Sequence, residues 1–401
     1  VSGDQTLRDI QALQTVDKAA AEEHLLAFIR ETFPQLTVET VELRPSAVSL
    51  NSFNGFLTLD DERKLFFKTH VEPDSIVGEY YNSQLLADAG YPIIRPVLAS
   101  TEYGKQFLIY EKIESSSVFD LLAQMERGTA TPNALALLEA QLAATDAHLW
   151  QIYRGSLSLQ TAEEAARAPV HQLFYHRLAG KRCRDFYFEG EKPKIPLHKN
   201  WVINGRRYES TLADLIAAQA LLDPMQSGAS VIGHGDAHNG NVFLAEREFL
   251  YFDPAFAGRH NPFLDLAKPL FHNVFAHWMY FPLEAKQPQT LTVHEDAETI
   301  QITFDETLPP YRQLFFESKI ERVLKPLVTE LHARGWLRPD WRTYLKTALF
   351  CCPFLTMNLT DTNRFPAQVR WLGLSYAVIM GSESVGTTKS ILDQMLSLIN
   401  P

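Results

Sequence analysis

The chain has 401 residues, 46% hydrophobic and 21% charged, which argues against wholesale disorder and, at this length, against a single ordinary core. A formal net charge of -11 makes it a poor general nucleic-acid binder, because phosphate contacts need a Lys/Arg surface; the acidity suits a cationic substrate or simply solubility. Three cysteines (Cys183, Cys351, Cys352) without a C-x-x-C pair, a polar N-terminal stretch and no uncharged apolar run of about 18 residues give the expectation of a cytoplasmic protein with no membrane partner.

From Thr6 to Phe33 the apolar residues recur at helical spacing, and Pro34 stops them, so residues 1–35 read as a helical extension. The pattern then changes to short β-prone runs, "TVETVELR", "AVSL", "GFLTL" and "KLFFKTHV", split by "NSFNG" and "DDERK". These predict an antiparallel meander. A helix over "SIVGEYYNSQLLADAGYPI" ends at Gly90 and Pro92, and "VLAS" and "QFLIYEKI" add two strands around the turn "EYGK". A small sheet lobe is therefore expected over residues 1–110, and a mainly helical one over 111–401. The helical part includes "SVFDLLAQMER", "NALALLEAQLAATDAHLWQIYR", "NPFLDLAKPLFHNVFAHWMY", "YRQLFFESKIERVLKPLVTELHARG", "WRTYLKTALFCCPFLTM" and "AQVRWLGLSYAVIMG". "GEKPKIPLHKN" and residues 284–311 are the least regular stretches.

The chemistry gathers in "VIGHGDAHNGNVFL", Val231–Leu244. A zinc pair at His234 and His238 would need a helix to align the imidazoles, and Gly233, Gly235 and Gly240 interrupt one. A different reading takes in the flanks. "VFLA" and "LYFD" around "EREF" form a hairpin that carries Asn241 at its entry and Asp253 at its exit. Asp236, Asn241 and Asp253 then supply the hard oxygens that Mg2+ on a triphosphate requires, and one carboxylate remains to orient a hydroxyl. The step from Asp236 to Asn241 equals that in the kinase pattern H-R-D-x-x-x-x-N.

"HGDAHNGNVF" with "YFDPAFAG" resembles the catalytic segment of the aminoglycoside phosphotransferase and choline kinase superfamily, with a weaker match from about Val41 to Leu270. The resemblance implies an α+β, protein-kinase-like two-lobed fold: a small antiparallel-sheet lobe that binds nucleotide and a larger helical lobe that binds substrate. It implies transfer of the γ-phosphate of ATP (or GTP), with Mg2+, to a hydroxyl of a small molecule such as an aminoglycoside, amino sugar or amino alcohol. Asp236 would be the catalytic base, and Asn241 and Asp253 the metal ligands. Lys68 would meet the phosphates, steadied by Glu79, which opens the next helix. Lys64, in the turn, is the competing lysine. Ser52 and Gly55 would belong to a loop covering the nucleotide, and the backbone of Glu111 and Ile113 would meet adenine. His234, His238 and Asp265 would brace the catalytic loop or face substrate. Lys268 and Arg259 either meet phosphate or are solvated, and the basic cluster Lys181 to Arg184 reads as solvated surface. Two other readings stand beside this one. One is a nucleotide-binding pseudokinase. The other is a protein kinase, disfavoured by Gly235 in place of Arg and by the lack of A-P-E and G-x-G-x-x-G.

Overall fold

The computed structural model of the chain describes residues 3–14, 16–44, 52–70, 73–102, 104–190, 193–280 and 291–399. The chain forms two compact units. One comprises Val1–Asp88, Pro92–Ser115 and Tyr251–Ala255, and the other Ala89–Tyr91, Ser116–Leu250 and Phe256–Pro401.

In the first unit, the expected helical extension is two helices, α1 (Gly3–Leu13) and α2 (Lys18–Thr32). Asp17 divides them, because its side chain accepts the Ala20 N–H at 3.1 Å and starts a new helix. Five strands follow: β1 (Val38–Leu43), β2 (Ser52–Leu59), β3 (Lys64–His70), β4 (Leu98–Ser100) and β5 (Phe107–Glu111). They form one antiparallel sheet in the order β1-β2-β3-β5-β4. Helix α3 (Pro73–Asp88) lies between β3 and β4 in sequence. One sheet face buries Leu57, Leu65, Phe67, Phe107 and Ile109 with Leu25, Phe28 and Ile29 of α2. Alternate residues thus reach the core, as the period of two demands.

"NSFNG" is not the expected break: Phe53, Asn54 and Gly55 are inside β2, paired with Thr69, Lys68 and Phe67. Gly55 has a packing reason. A Cβ there would lie 2.0 Å from the Glu42 carbonyl oxygen and 2.8 Å from the Phe67 ring, so only glycine lets β1 and β3 close around it. The "AVSL" run and the rest of the expected nucleotide-covering loop, residues 45–51, fall outside the described residues.

The second unit is helical around strands that local sequence concealed. Helices α4 (Val118–Arg127) and α5 (Ala134–Ser156) come first, then short α6 (Ala162–Ala166), α7 (Tyr175–Leu178), α8 (Lys181–Tyr187) and α9 (Leu212–Ala217). Later come α10 (Pro262–His272), α11 (His277–Tyr280), α12 (Pro310–Lys319), α13 (Lys325–Ala333), α14 (Trp341–Thr356), α15 (Ala367–Gly381) and α16 (Ile391–Ser397). The single helix expected from Tyr311 to Gly335 is α12 and α13 joined by a π turn, Ile320–Leu324. Pro326 lacks the N–H that the α ladder would use there.

Three strands, β6 (Ser158–Gln160), β9 (Gly228–Gly233) and β12 (Gly258–His260), form a sheet with β9 central. The irregular stretch 284–311 conceals β13 (Thr292–Glu295) and β14 (Thr299–Thr303), which join β7 (Asn200–Ile203), β8 (Arg206–Tyr208) and β15 (Ser384–Val385) in a five-stranded sheet. Its β14–β7 pair is parallel and joins Thr299 to Asn200. Such long-range pairs leave little trace in a local window, although Asn204–Gly205, with φ of 50° and 75°, is an N-G hairpin signal between β7 and β8. No helix among the described residues is long and apolar enough to cross a membrane. Cys183, Cys351 and Cys352 are buried free thiols.

Candidate active site

Strand β9 ends at Gly233, and the loop His234–Asn241 leads into β10 (Val242–Phe243), which pairs with β11 (Leu250–Tyr251). The ribbon expected from the sequence is present, with Asn241 immediately before it and Asp253 just after.

The loop is held from below by Asp265, three residues into α10 and 3% exposed. Asp265 Oδ1 accepts the Gly235 N–H at 2.5 Å and meets His260 Nε2 at 3.2 Å, while Oδ2 accepts the Tyr153 hydroxyl. Burial pushes this carboxyl up, but the bonds from His260, Tyr153 and Gly235 outweigh it and hold it below the usual carboxylate range. Asn261, not Asp265, caps α10. Gly235 has a φ of 80°, and a Cβ there would lie 2.4 Å from the Phe256 carbonyl oxygen, so both backbone shape and space require glycine.

Within the loop, His234 is fully buried, and its Nδ1 accepts the Asp236 N–H at 3.4 Å. The Asp236 carbonyl accepts the His238 N–H at 2.8 Å and the Asn241 side-chain amide at 3.0 Å. Asn241 thereby spends one of its two side-chain N–H donors on the loop, and its carbonyl oxygen stays an acceptor. His238 Nδ1 accepts the Gly240 N–H at 3.0 Å, a loop-closing bond. The Asn239 N–H donates to Asn273 Oδ1 at 2.8 Å. Sequence reasoning missed Asn273, since nothing in "FHNVF" marks it.

Asp236 has two different oxygens. Among the described residues Oδ1 is buried without a hydrogen-bond partner, although the side chain as a whole is 15% exposed. Lys268 Nζ lies 3.8 Å from that Oδ1. Lys268 is 4% exposed, which removes the solvated alternative. Arg259 bonds to the Ser156 carbonyl at 2.7 Å and the Ser158 hydroxyl at 2.6 Å, so it ties strands together. In the basic cluster, Lys181 and Arg184 are largely exposed beside Asp185, but Arg182 reaches the Leu355 carbonyl at 3.4 Å and Cys183 is buried.

In the first unit, Lys68 sits on β3 and is 8% exposed; its Nζ bonds Asp253 Oδ1 at 2.7 Å. Asp253 has a φ of 57°, a left-handed conformation uncommon outside glycine and found at functional sites. Lys64 opens β3 and is exposed. Glu79 does not open its helix: α3 begins at Pro73, because proline suits a first helical position. The side chains of Glu79 and Ser52 lie outside the described residues; Ser52 begins β2. Glu111 ends β5, and Ile113 lies in the segment after it.

The family model described as the APH phosphotransferase enzyme family matches residues 47–287. No curated protein matches the chain. Among solved structures, the chain is similar to the amicoumacin kinase hAmiN in complex with AMP-PNP, at 15% identity over 88% of this chain and 92% of that one, with a TM-score of 0.43. It is similar to the macrolide 2'-phosphotransferase MphH from Brachybacterium faecium at 13% identity, over 87% of this chain and 96% of that one, with a TM-score of 0.38. For the aminoglycoside phosphotransferase APH(4)-Ia with ADP and hygromycin B, the identity is 12%, over 90% of this chain and 99% of that one, and the TM-score is 0.48. The family match takes in β2 to β5 of the first unit's sheet, the loop His234–Asn241 and α10, and on that match the chain belongs to the APH phosphotransferase enzyme family.

Proposed function

We propose that the chain transfers the γ-phosphate of ATP to a hydroxyl of a small molecule, with Asp236 as the base that orients and receives the hydroxyl proton. The observation that carries this reading is the setting of Asp236. Its backbone is fixed by His234, His238 and Asn241, and the loop is fixed by Asp265, while its Oδ1 has no hydrogen-bond partner among the described residues. A carboxylate held in place but left unsatisfied is prepared for a proton that arrives with substrate.

In this reading the first unit binds nucleotide and the second binds the acceptor. Lys68 meets the phosphates, and Glu79, Ser52 and the backbone of Glu111 and Ile113 complete the nucleotide site. Asn241 and Asp253 would hold Mg2+. The carbonyl oxygen that Asn241 keeps free and the carboxylate of Asp253 are the hard donors this ion takes. When bound, the ion neutralises charge on the transferred phosphoryl group. His234, His238 and Asp265 brace the loop. Catalysis then consists of placing a hydroxyl in line with the phosphate and of stabilising charge, because the protein itself makes no covalent bond. Aminoglycosides, amino sugars and amino alcohols are the acceptor classes to test first, with GTP beside ATP.

The test is an ADP-release screen against panels of those acceptors, sugars and nucleosides, with Asp236→Ala as the blank. The variant should lose turnover while still binding Mg-ATP. Wild-type turnover in Asp236→Ala would remove the assignment.

A further inference from the structure

Helix α10 is buried on every side from Pro262 to His272, yet it carries a polar stripe. Asp265, Lys268 and His272 stand at positions i, i+3 and i+7, one above another on a single face. Asp265 is saturated with hydrogen bonds. Lys268 is not. An ammonium has three donors and no acceptor, and one of them points at His272 Nε2, 3.4 Å away. That nitrogen must therefore lack a proton, so Nδ1 carries it and donates to the Tyr280 hydroxyl oxygen at 2.5 Å. Burial, reinforced by the charge of Lys268, holds His272 well below the ordinary histidine range and keeps it neutral. Among the described residues, Asp236 is the one carboxylate within ion-pair distance of Lys268, and at 3.8 Å it is too far for a hydrogen bond.

Arg177 of α7, Tyr280 of α11 and Cys352 of α14 each feel the charge of Asp236. None brings a second negative charge to compensate the lysine. A buried ammonium left this short of partners is costly to stability. Such an arrangement is tolerated where it serves chemistry.

We propose that Lys268 is a positioning residue for the phosphoryl transfer: it turns the buried Oδ1 of Asp236 toward α10 and thereby presents the other oxygen to the acceptor hydroxyl. The His272–Tyr280 pair fixes the ammonium in turn. This rests on Asp236 being the base.

The test is Lys268→Met, which keeps the length of the side chain and removes its charge. With Mg-ATP and the best acceptor of the screen, and for basal ADP release with water as acceptor, kcat should fall about 30-fold or more. KM for ATP should stay within about twofold, since ground-state nucleotide binding is untouched. The Tm should be unchanged or higher, because an under-compensated buried charge has gone. In Lys268→Ala, added ethylammonium should restore part of kcat, and ethanol should not. Wild-type kcat in Lys268→Met, or a lowered Tm with unchanged turnover per folded molecule, would overturn the proposal. Asp236→Ala run in parallel separates the two readings. If it still turns over, the base assignment fails; if it is silent while Lys268→Met is normal, only the lysine proposal fails.

Discussion

Two buried lysine–aspartate pairs of the second unit differ in how completely they are satisfied. Lys346 and Asp393 are 1% and 0% exposed and hydrogen-bonded to each other. Asp393 Oδ2 also accepts the Ser384 N–H at 2.8 Å and the Ser384 hydroxyl at 2.6 Å, and Lys346 lies 3.5 Å from Glu383. Burial raises this carboxyl, but Lys346 and Ser384 more than reverse that and lower it. Every strong partner is used, and α14, β15 and α16 are tied together. Lys268 is nearly as buried, but the Asp236 side chain is 15% exposed, and the two lie 3.8 Å apart with Oδ1 unbonded among the described residues. A saturated pair holds a fold together. On the proposed function, the unsaturated one keeps its capacity for a substrate.

Substitution of the two aspartates should separate the pairs most clearly. Asp236→Asn should cut kcat by roughly 10²–10⁴ with little change in stability; ADP release and urea unfolding, measured on one preparation, decide this. Asp393→Ala should leave turnover per folded molecule intact and cost about 3–5 kcal/mol in urea unfolding, because Lys346 is stranded. Replacing both, as Lys346→Met with Asp393→Leu, should recover most of that loss. If it does not, the pair contributes more than mutual neutralisation.

Asp265→Asn sharpens the contrast, since Asp265 is saturated like Asp393 but serves the loop. It should lose about 1–3 kcal/mol and also lower kcat, whereas Asp393 variants should lose stability alone. A Gly235 amide that exchanges as slowly in the variant as in the wild type would contradict the bracing role.

A smaller effect comes with pH. Burial, only partly offset by the Ala165 carbonyl 3.0 Å from Nε2, lowers His171 to about 4. Its unfolded value is about 6.5, so as pH falls the unfolded chain takes the proton first. The contribution is complete above about pH 6.5 and is lost toward pH 4, at up to ~1.4 kcal/mol per pH unit. His171→Gln should flatten that part of a Tm-against-pH curve. Smallest of all, Glu321→Ala removes an exposed bridge to Lys325 and should change stability by less than about 0.5 kcal/mol.

The legible parts of the molecule were those with local causes. The meander, the ribbon between Asn241 and Asp253, and the loop-bracing bonds of His234 follow from nearest neighbours along the chain. Gly55 was legible as glycine but not as packing, because its reason lies in the Glu42 carbonyl and the Phe67 ring on two other strands. The sheet that joins Asn200 to Thr299 was missed, since short strands a hundred residues apart leave no periodic pattern to read.

Amino-acid order alone determined the family and the motif from His234 to Asn241, which depend on spacing within a few turns. Only the tertiary structure decided which of those polar groups are satisfied. Asp265 meets Tyr153 from a distant helix, while among the described residues Asp236 Oδ1 has no hydrogen-bond partner and faces a lysine at 3.8 Å. Satisfaction of a buried charge is set by what packs against it from elsewhere in the chain, and spacing along the chain does not carry that information.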